Sequence, residues 1–563
     1  MGETSKRYIE RHRILLQQLD DWMDDWIDIR DFILPRTGRF ETEGDEEPGT
    51  NEGGRYNDIL DATATRAIRV TSAGMHGGVT SPARPWFKLG LYNENWMQLT
   101  EVKEWVDEVQ RRMYAAFARS NFYNSVHKLY KEEIGYGQAV CIMDEDDDKI
   151  FRFTVLTCGE YALAEDENGA VDTLYRTMWI QARQMQMRGW TLPEVVSREL
   201  RQDDKANPYK FFKVLHVVQP RYGYDPNKVD SKNMPIESRY ILLDEDDYPI
   251  LYTSGYRERC LMAPRWEPTS SSPYGRSPGH DVLPDVKMLQ EETADYLSAL
   301  QKVVDPPLKG TGGMKYDVGH MAGTVTYTPG PAEADALKPI YEVRIDVGAM
   351  KDAINDTRVQ IRDGLYNDLF LMIIDAKPGM TATEVAERHE EKLLMLGPVI
   401  ERQFHELLDP IIDRAFAIMY RKGLLPTPPQ ALLDVLPETT DGVQIKVEYI
   451  SLLAQAQKLV TTQSINAVVG FIINSAQAKP EALDKLNIDK AIDEYQEATG
   501  APAAMINSED VVAQIRMVRM IQQQQMMQQQ QEQQALQNTK TLGDTKTKEG
   551  TALGDLKDSL EAA

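Results

Sequence analysis

The stretch SPYGRSPGHDVLPDVKMLQEE, Ser272 to Glu292, decides how the chain is organised. A glycine-rich turn before a helix can cradle phosphate, because the first N–H groups of a helix are free to bind an anion. No Lys-Ser or Lys-Thr follows these glycines, so the P-loop pattern is absent. The sequence favours the alternative interpretation, in which Gly275 and Gly279 shape a tight turn while Pro278 and Asp281 set the start of a helix.

Two amphipathic helices are predicted downstream of this turn, at 281–304 and 344–372. Both stretches carry apolar residues at three- and four-residue spacing. Residues 305–343 between them are rich in glycine and proline, which predicts a loop-rich module. The chain is therefore expected to leave along one helix and to return along the other.

A third long helix is predicted after the turn DAKPGM, Asp375 to Met380. Thr381 and Glu384 have the spacing of a capping box, in which each residue satisfies a free N–H group of the first turn. The pair Gly397-Pro398 predicts a kink in this helix, because proline removes a hydrogen bond and clashes with the preceding turn.

Upstream of the opening stretch, helical patterns at Glu3–Leu34 and Arg55–Met75 give way to strands. From Gly137 to about Trp266 the apolar period is two, and the segment DENGA, with its Asn-Gly pair, predicts a hairpin. A late strand is predicted at Val443–Ile450. The fold class is therefore α+β and mainly helical.

Two further helices are predicted after this strand, and a last one begins at NSEDVV. It runs into a tract with ten glutamines among the thirteen residues Gln522–Gln534. Such a tract is typical of low-complexity linkers, but glutamine is also a good helix former. Residues from about Asn538 are predicted to be disordered.

The acidic composition argues against a tight DNA binder. The net charge is −25 and the pI about 4.9, whereas DNA affinity comes mostly from cations that neutralise phosphates. A protein that handles DNA without holding it stays possible. The longest apolar runs, FLMII and VVGFII, fall far short of the ~20 residues that a bilayer requires, and the N-terminus lacks an apolar signal region.

No catalytic, cofactor-binding or metal-binding residue is predicted. The three cysteines are far apart, which fits a reducing cytosol and predicts neither a disulfide framework nor a metal cluster. His76 has no visible catalytic partner, and His389 lacks the second histidine of a zincin motif. The acidic runs Asp144–Lys149 and Leu243–Pro249 lack the calcium-loop pattern and are interpreted as solvated loops.

Several segments in fixed order resemble a known family. They are RYNDILDATATRAIRVTSAGMHGGVTSPARPWFKL, CGEYALAEDENGAVDTLYR, PYGRSPG and MTATEVAERHEEKLLMLGPVIERQFHELLDPIIDRAFAIMYRKGLLP. From about Arg7 to Arg519 the chain is similar to the head-to-tail connector, or portal, family of short-tailed bacteriophages. The similarity is weakest at 305–343 and beyond Gln522.

The resemblance implies a portal fold with a mixed α/β wing. Its expected parts are the wing (1–280), the stem helices (281–304 and 344–372), the clip (305–343), the tunnel loop (373–382), a kinked helix with wing completion (383–450), the crown helices (451–521) and a Gln-rich barrel helix with a disordered tail (522–563).

In this plan Gly275, Pro278 and Gly279 form the bend from wing into stem. Lys377, the only cation between Asp375 and Glu384, would form a thin positive collar in the DNA channel. An equally good interpretation is that Lys377 caps the preceding helix, whose C-terminus also favours a cation.

The implied function is that of a homo-oligomeric ring, expected to be a dodecamer, at one capsid vertex of the virion. Double-stranded DNA would pass through it non-specifically during packaging and ejection. The expected partners are the terminase large subunit, tail adaptor proteins, and scaffold and major capsid proteins. The protein is also expected to be made in the host cytoplasm, to bind no cofactor and not to insert into a membrane. Alternatives are a virion or scaffold component without a channel and, less favoured, a cytosolic α/β enzyme.

Overall fold

The fold is that of a computed structural model, which divides the chain into two compact units, Met1–Phe471 and Ile472–Ala563. It describes residues 2–35, 37–40, 59–91, 96, 99–201, 206–225, 228, 230–269, 272–304, 308–309, 338–339, 346–374, 396–433, 445–450, 472 and 509–546. Among these residues, no helix combines the length and the apolar content that a membrane span requires.

The helices of the first unit alternate with antiparallel strands, in agreement with the predicted α+β class. They are α1 (Gly2–Phe32), α2 (Thr63–Val79), α3 (Thr100–Arg119), α4 (Phe122–Tyr136), α5 (Ala182–Met187), α6 (Glu194–Glu199), α7 (Pro278–Val304), α8 (Val347–Gly364), α9 (Asn367–Ile374), a π-helix (Gln403–Leu408), α10 (Asp409–Arg421) and α11 (Gln430–Leu433). A 3-10 turn lies at Ser231–Asn233.

The strands form small antiparallel sheets. They are β1 (Phe87–Leu91), β2 (Val140–Asp146), β3 (Ile150–Leu156), β4 (Tyr161–Glu165), β5 (Val171–Gln181), β6 (Phe211–Pro220), β7 (Ile236–Leu242), β8 (Ile250–Tyr256), β9 (Leu261–Met262), β10 (Glu267–Pro268), β11 (Gly275–Arg276), β12 (Leu308–Lys309), β13 (Lys338–Pro339) and β14 (Ile445–Tyr449). The largest sheet has the order β4-β5-β6-β7-β8, and a second has the order β3-β2-β9.

The predicted hairpin at DENGA is confirmed. Asp166 N donates to Ala170 O at 2.9 Å, and Gly169 takes a positive φ of 78° that glycine adopts at little cost. The turn joins the antiparallel strands β4 and β5.

The late strand is also confirmed, and it reaches far back along the chain. β14 pairs with β1, with Tyr449 opposite Phe87. The sequence prediction missed β1 because FKLGL is only five residues long and follows a proline-containing turn, although its burial alternates as in a half-buried strand. This pairing returns the chain after α10 to the N-terminal region.

Two predicted helices in the first unit have wrong boundaries. α2 begins at Thr63 rather than near Arg55 and ends at Val79 rather than at Met75. Leu60 and Asp61, just before its start, make other contacts that are described below. The returning helix predicted at 344–372 is two helices, α8 and α9, with Tyr366 between them at a φ of 54°. The apolar stripe continues through Leu365 and Leu369, both fully buried, so periodicity alone could not show the break.

The described part of the second unit is mainly a single long helix, α12 (Glu509–Lys546). The helical interpretation of the glutamine tract is confirmed, and the disorder predicted from Asn538 is wrong as far as Lys546. Side chains from Gln514 to Gln530 are exposed within this unit. The two helices predicted after Ile450 lie outside the described residues.

Candidate functional site at the start of the helix pair

The helices α7 and α8 lie against each other, as the sequence predicts for an outgoing and a returning helix. Thr357 Oγ1 on α8 donates to Glu292 Oε2 on α7 at 3.1 Å. A Cβ on Gly364 would lie 2.5 Å from Val282 Cγ1, so the two helices are in close contact at this glycine. α7 begins near this contact, and α8 ends at it.

The start of α7 rests on two other segments of the chain. We call residues 135–139, 264–267 and 274–280 together the glycine junction. Trp266 N donates to Gly137 O at 2.8 Å, and β10 pairs with β11, with Glu267 opposite Arg276. The C-terminal end of α4, the strand region and the first turn of α7 therefore meet here.

Glycines allow the backbones of the junction to touch. Gly137 ends α4 in the left-handed conformation, with φ at 87°, which is the usual role of glycine after a helix. A Cβ on Gly137 would lie 1.9 Å from Gly275 O, and a Cβ on Gly279 would lie 2.3 Å from Gly135 O. No side chain fits into either contact without a shift of the backbone.

Gly275 has an ordinary φ, so its backbone conformation is not the reason for glycine at this position. The reason is space, since a Cβ here would lie 2.8 Å from Gly137 O and 3.0 Å from Glu267 O. The structure thus brings together Gly275, Pro278 and Gly279. The sequence prediction missed Gly137, which contacts Gly275, and Gly135, which contacts Gly279.

Ser277 fixes the first turn of α7, which begins at Pro278. Ser277 Oγ donates to Gly135 O at 2.7 Å, so its contact with His280 Nδ1 at 2.9 Å requires the imidazole to donate. Asp281 N donates to Ser277 O at 3.3 Å, which places Asp281 in this first turn. Burial lowers the pKa of His280 to about 4, so the ring is neutral near pH 7.

A second set of contacts braces both helices of the pair. The carboxylate of Asp61, 8% exposed, accepts from Arg358 Nε at 2.9 Å and from Nη2 at 2.6 Å. Gln290 Oε1 accepts from the backbone N of Leu60 and of Asp61 at 2.8 and 2.9 Å. Burial opposes ionisation of Asp61, but hydrogen bonds from Thr63 and Arg358 hold its pKa below the usual value.

The π-helix Gln403–Leu408 reaches the same junction from the returning part of the chain. Arg265 donates to the carboxylate of Glu406 from its backbone N at 2.9 Å and from Nη2 at 2.7 Å. Gln403 Nε2 donates to Glu133 Oε1 on α4. π-helices are rare and concentrate at functional sites, and no periodicity in the sequence marks this one.

Residues 5–506 match the family described as "Bacteriophage head to tail connecting protein". The chain belongs to this family. The predicted role as a head-to-tail connector is therefore confirmed, and the family is a structural one within the phage particle.

Two relatives are similar in sequence to this chain over almost its whole length. The probable portal protein of Bordetella phage BPP-1 is 38% identical over 526 residues, which are 93% of this chain and 92% of the relative. The portal protein of Salmonella phage epsilon15 is 37% identical over 527 residues, with the same coverage. A chain from the neck of an empty GTA particle covers 72% of this chain at 10% identity, with a TM-score of 0.33.

The other predicted site residues of the connector lie outside the described residues. These are Lys377, Thr381 and Glu384. Residues 375–395, which precede Gly397-Pro398, also lie outside the described residues. Of residues 305–343 the structure describes only β12 and β13, which pair with each other. The collar and the capping box stay predictions. In the described residues, no group of three or more His, Cys, Asp or Glu is arranged to hold a metal ion.

Proposed function

We propose that the protein forms a homododecameric ring at one capsid vertex, through which double-stranded DNA is packaged and later ejected. The observation that carries this proposal is the match of residues 5–506 to the connector family. Two relatives named as portal proteins, similar over 93% of the chain, support it.

In this ring, α7 and α8 form the stem and the strand region with α1–α4 forms the wing. Residues 305–343 form the clip, 373–382 the tunnel loop, 451–521 the crown, and the glutamine-rich helix from 522 a barrel. The geometry supports a rigid stem base, since the glycine junction fixes where α7 starts and Asp61 holds α8 through Arg358. A helix pair that lines a channel requires such a fixed base.

The charge of the chain suits a channel that DNA slides through. With −25 per chain, twelve chains carry about −300, and acidic walls repel phosphates instead of binding them by counterion release. Lys377 would then be a thin positive collar that slows slippage of DNA. The alternative role of Lys377, a cap on the helix before it, is equally compatible with the sequence.

The partners follow from the same proposal. One end of the ring would dock the terminase large subunit, which supplies the energy of packaging, and later the tail adaptor proteins. The scaffold and major capsid proteins would surround it at the vertex. The ring would be made in the host cytoplasm and carried in the virion.

Light scattering on the purified protein at several salt concentrations tests the assembly. We expect a mass near twelve times the 64.0 kDa chain, with more complete assembly at higher salt, since salt screens the repulsion between acidic subunits. A monomer at every salt and protein concentration would contradict the proposal.

A further inference from the structure

Glu133 and Gln403 form a buried pair with too few hydrogen-bond donors for its acceptor oxygens. Both side chains are fully buried, and Gln403 Nε2 donates to Glu133 Oε1. The two remaining oxygens, Glu133 Oε2 and Gln403 Oε1, are buried acceptors without a donor among the described residues. Unsatisfied buried acceptors are costly, and most of all on an ionised carboxylate.

A proton on Glu133 Oε2 would remove this deficit. A neutral carboxylic acid and a primary amide can share two hydrogen bonds, because the acid O–H donates to the amide oxygen while the amide N–H donates to the acid carbonyl. We propose that Glu133 is protonated in the folded protein and forms such a two-bond pair with Gln403, a proton-dependent clasp between α4 and the π-helix.

Burial and the negative charge of Glu406 favour the neutral acid. Burial, and then the negative charge of Glu406, raise the pKa of Glu133 to about 8, against the lowering effect of the Gln403 hydrogen bond and of Arg402. Glu406 is held in place by Arg265, and Arg402 is directed away to backbone oxygens of Arg265 and Trp266. Tyr130, on α4 itself, also acts on Glu133 electrostatically and is neutral near pH 8, because burial raises its pKa.

Glu132, the preceding residue, shows what a satisfied buried carboxyl requires. Its Oε1 accepts from Thr157 Oγ1 at 2.9 Å and its Oε2 from Cys158 N at 3.3 Å. Both oxygens of Glu132 thus have donors, whereas Glu133 has one donor for two oxygens. The missing donor therefore distinguishes Glu133 from its buried neighbour Glu132.

The position of the clasp gives it a role in the connector. Glu133 O accepts from Gly137 N at 2.8 Å, so the clasp lies directly beside the glycines that hold the start of α7. Gln403 belongs to the helical segment that follows residues 375–395. The clasp therefore joins the base of the outgoing helix to the returning chain, and its loss loosens that connection.

The pH dependence has a definite sign. The folded pKa of Glu133, about 8, lies above the ordinary value of 4.5. The stability from the clasp is complete below pH 4.5 and is lost as the pH rises through about 8, since the folded state binds the extra proton in this window.

The test is Glu133→Gln, whose amide copies the neutral acid and can make both hydrogen bonds at any pH. We measure thermal unfolding midpoints of the full-length protein from about pH 5 to about pH 9. The midpoint of Glu133→Gln should rise relative to the parent as the pH increases, with near equality at the acid end. Glu104→Gln, the same change at an exposed position of α3, should run parallel to the parent.

Infrared spectroscopy gives a direct readout on the parent protein. Near pH 6 the parent should show carbonyl bands of protonated carboxyl groups, one of which should shift in Gln403→Leu and disappear in Glu133→Gln. A second such band, from Glu132, should stay in both variants, because burial raises the pKa of Glu132 to about 7. If the midpoints of parent and Glu133→Gln run parallel over the whole pH range, or if Glu133→Gln removes no such band, Glu133 is ionised and the clasp does not exist.

Discussion

The backbone oxygen of Gly135 lies 2.3 Å from the position that a Cβ on Gly279 would occupy. The first turn of α7 therefore rests directly on the last turn of α4, with no side chain between them. Contacts between two backbones leave little freedom of direction, and Ser277 Oγ adds a hydrogen bond to the same oxygen at 2.7 Å. This relationship sets the point from which the helix pair leaves the strand region.

Gly279→Ala should impair folding or assembly, although alanine is the better helix former. The added Cβ meets the backbone of Gly135, and overpacking of this kind costs about 1–3 kcal/mol. Gly77→Ala is the matched control: Gly77 is a helical glycine on α2 with nothing within 4 Å of its Cβ position. There, alanine should stabilise by about 0.5–1 kcal/mol. The thermal unfolding midpoints of both variants are compared with that of the parent protein. If Gly279→Ala and Gly77→Ala have equal midpoints, the contact between Gly279 and Gly135 does not limit stability.

The periodicity of the sequence was sufficient to predict most elements but not their contacts. α1, α7, the hairpin at DENGA and β14 follow from apolar spacing and turn residues that are local in sequence. The pairing of β14 with β1 and the contact of Gly279 with Gly135 join residues far apart in sequence. Only the folded chain shows which glycine faces which, and the same holds for the bond between Asp61 and Arg358.

The π-helix was unpredictable for a related reason. Its extra residue is stabilised by contacts that Gln403 and Glu406 make with Glu133 and Arg265, and these partners lie more than a hundred residues away. The break at Tyr366 has only a weak local signal, Gly364 at the end of α8, because a single glycine is tolerated inside a helical pattern and the apolar stripe continues through Leu365 and Leu369.

Asp61→Asn should weaken the brace on α8 by about 1 kcal/mol near neutral pH, because it removes a charge-assisted bond to Arg358, whose side chain is 34% exposed. The folded pKa of Asp61 is lowered, so its contribution is present above the ordinary value of 3.8 and is lost as the pH falls through the folded pKa.

Unfolding midpoints at about pH 6 and about pH 3 measure this effect. The gap between the parent and Asp61→Asn should shrink at the lower pH. Asp107→Asn, at an exposed position of α3, should show no comparable gap at either pH. A gap for Asp61→Asn that stays constant with pH would assign its effect to packing alone.

Truncation after Gln522 should leave a ring while changing DNA packaging or ejection. Side chains from Gln514 to Gln530 are exposed within their unit, so little buried core depends on the removed part of α12. Light scattering monitors assembly, and a packaging assay monitors function. Loss of all folded protein on truncation would show instead that the glutamine tract is integral to the fold.

Lys377→Glu should reduce the retention of packaged DNA without preventing assembly, if Lys377 forms the proposed collar. One phosphate contact per chain gives weak binding that depends on salt, so the defect should grow as salt is lowered. Lys351→Glu, at an exposed position of α8, serves as the charge-matched control. Retention equal to that of the parent across the salt range would leave Lys377 the role of a helix cap.

Electron microscopy of the purified full-length protein tests the central claim most directly. The account predicts ring-shaped particles with an axial opening wide enough for double-stranded DNA, and twelve subunits in averaged end views. Particles without an axial opening, such as shells, filaments or monomers, would contradict it.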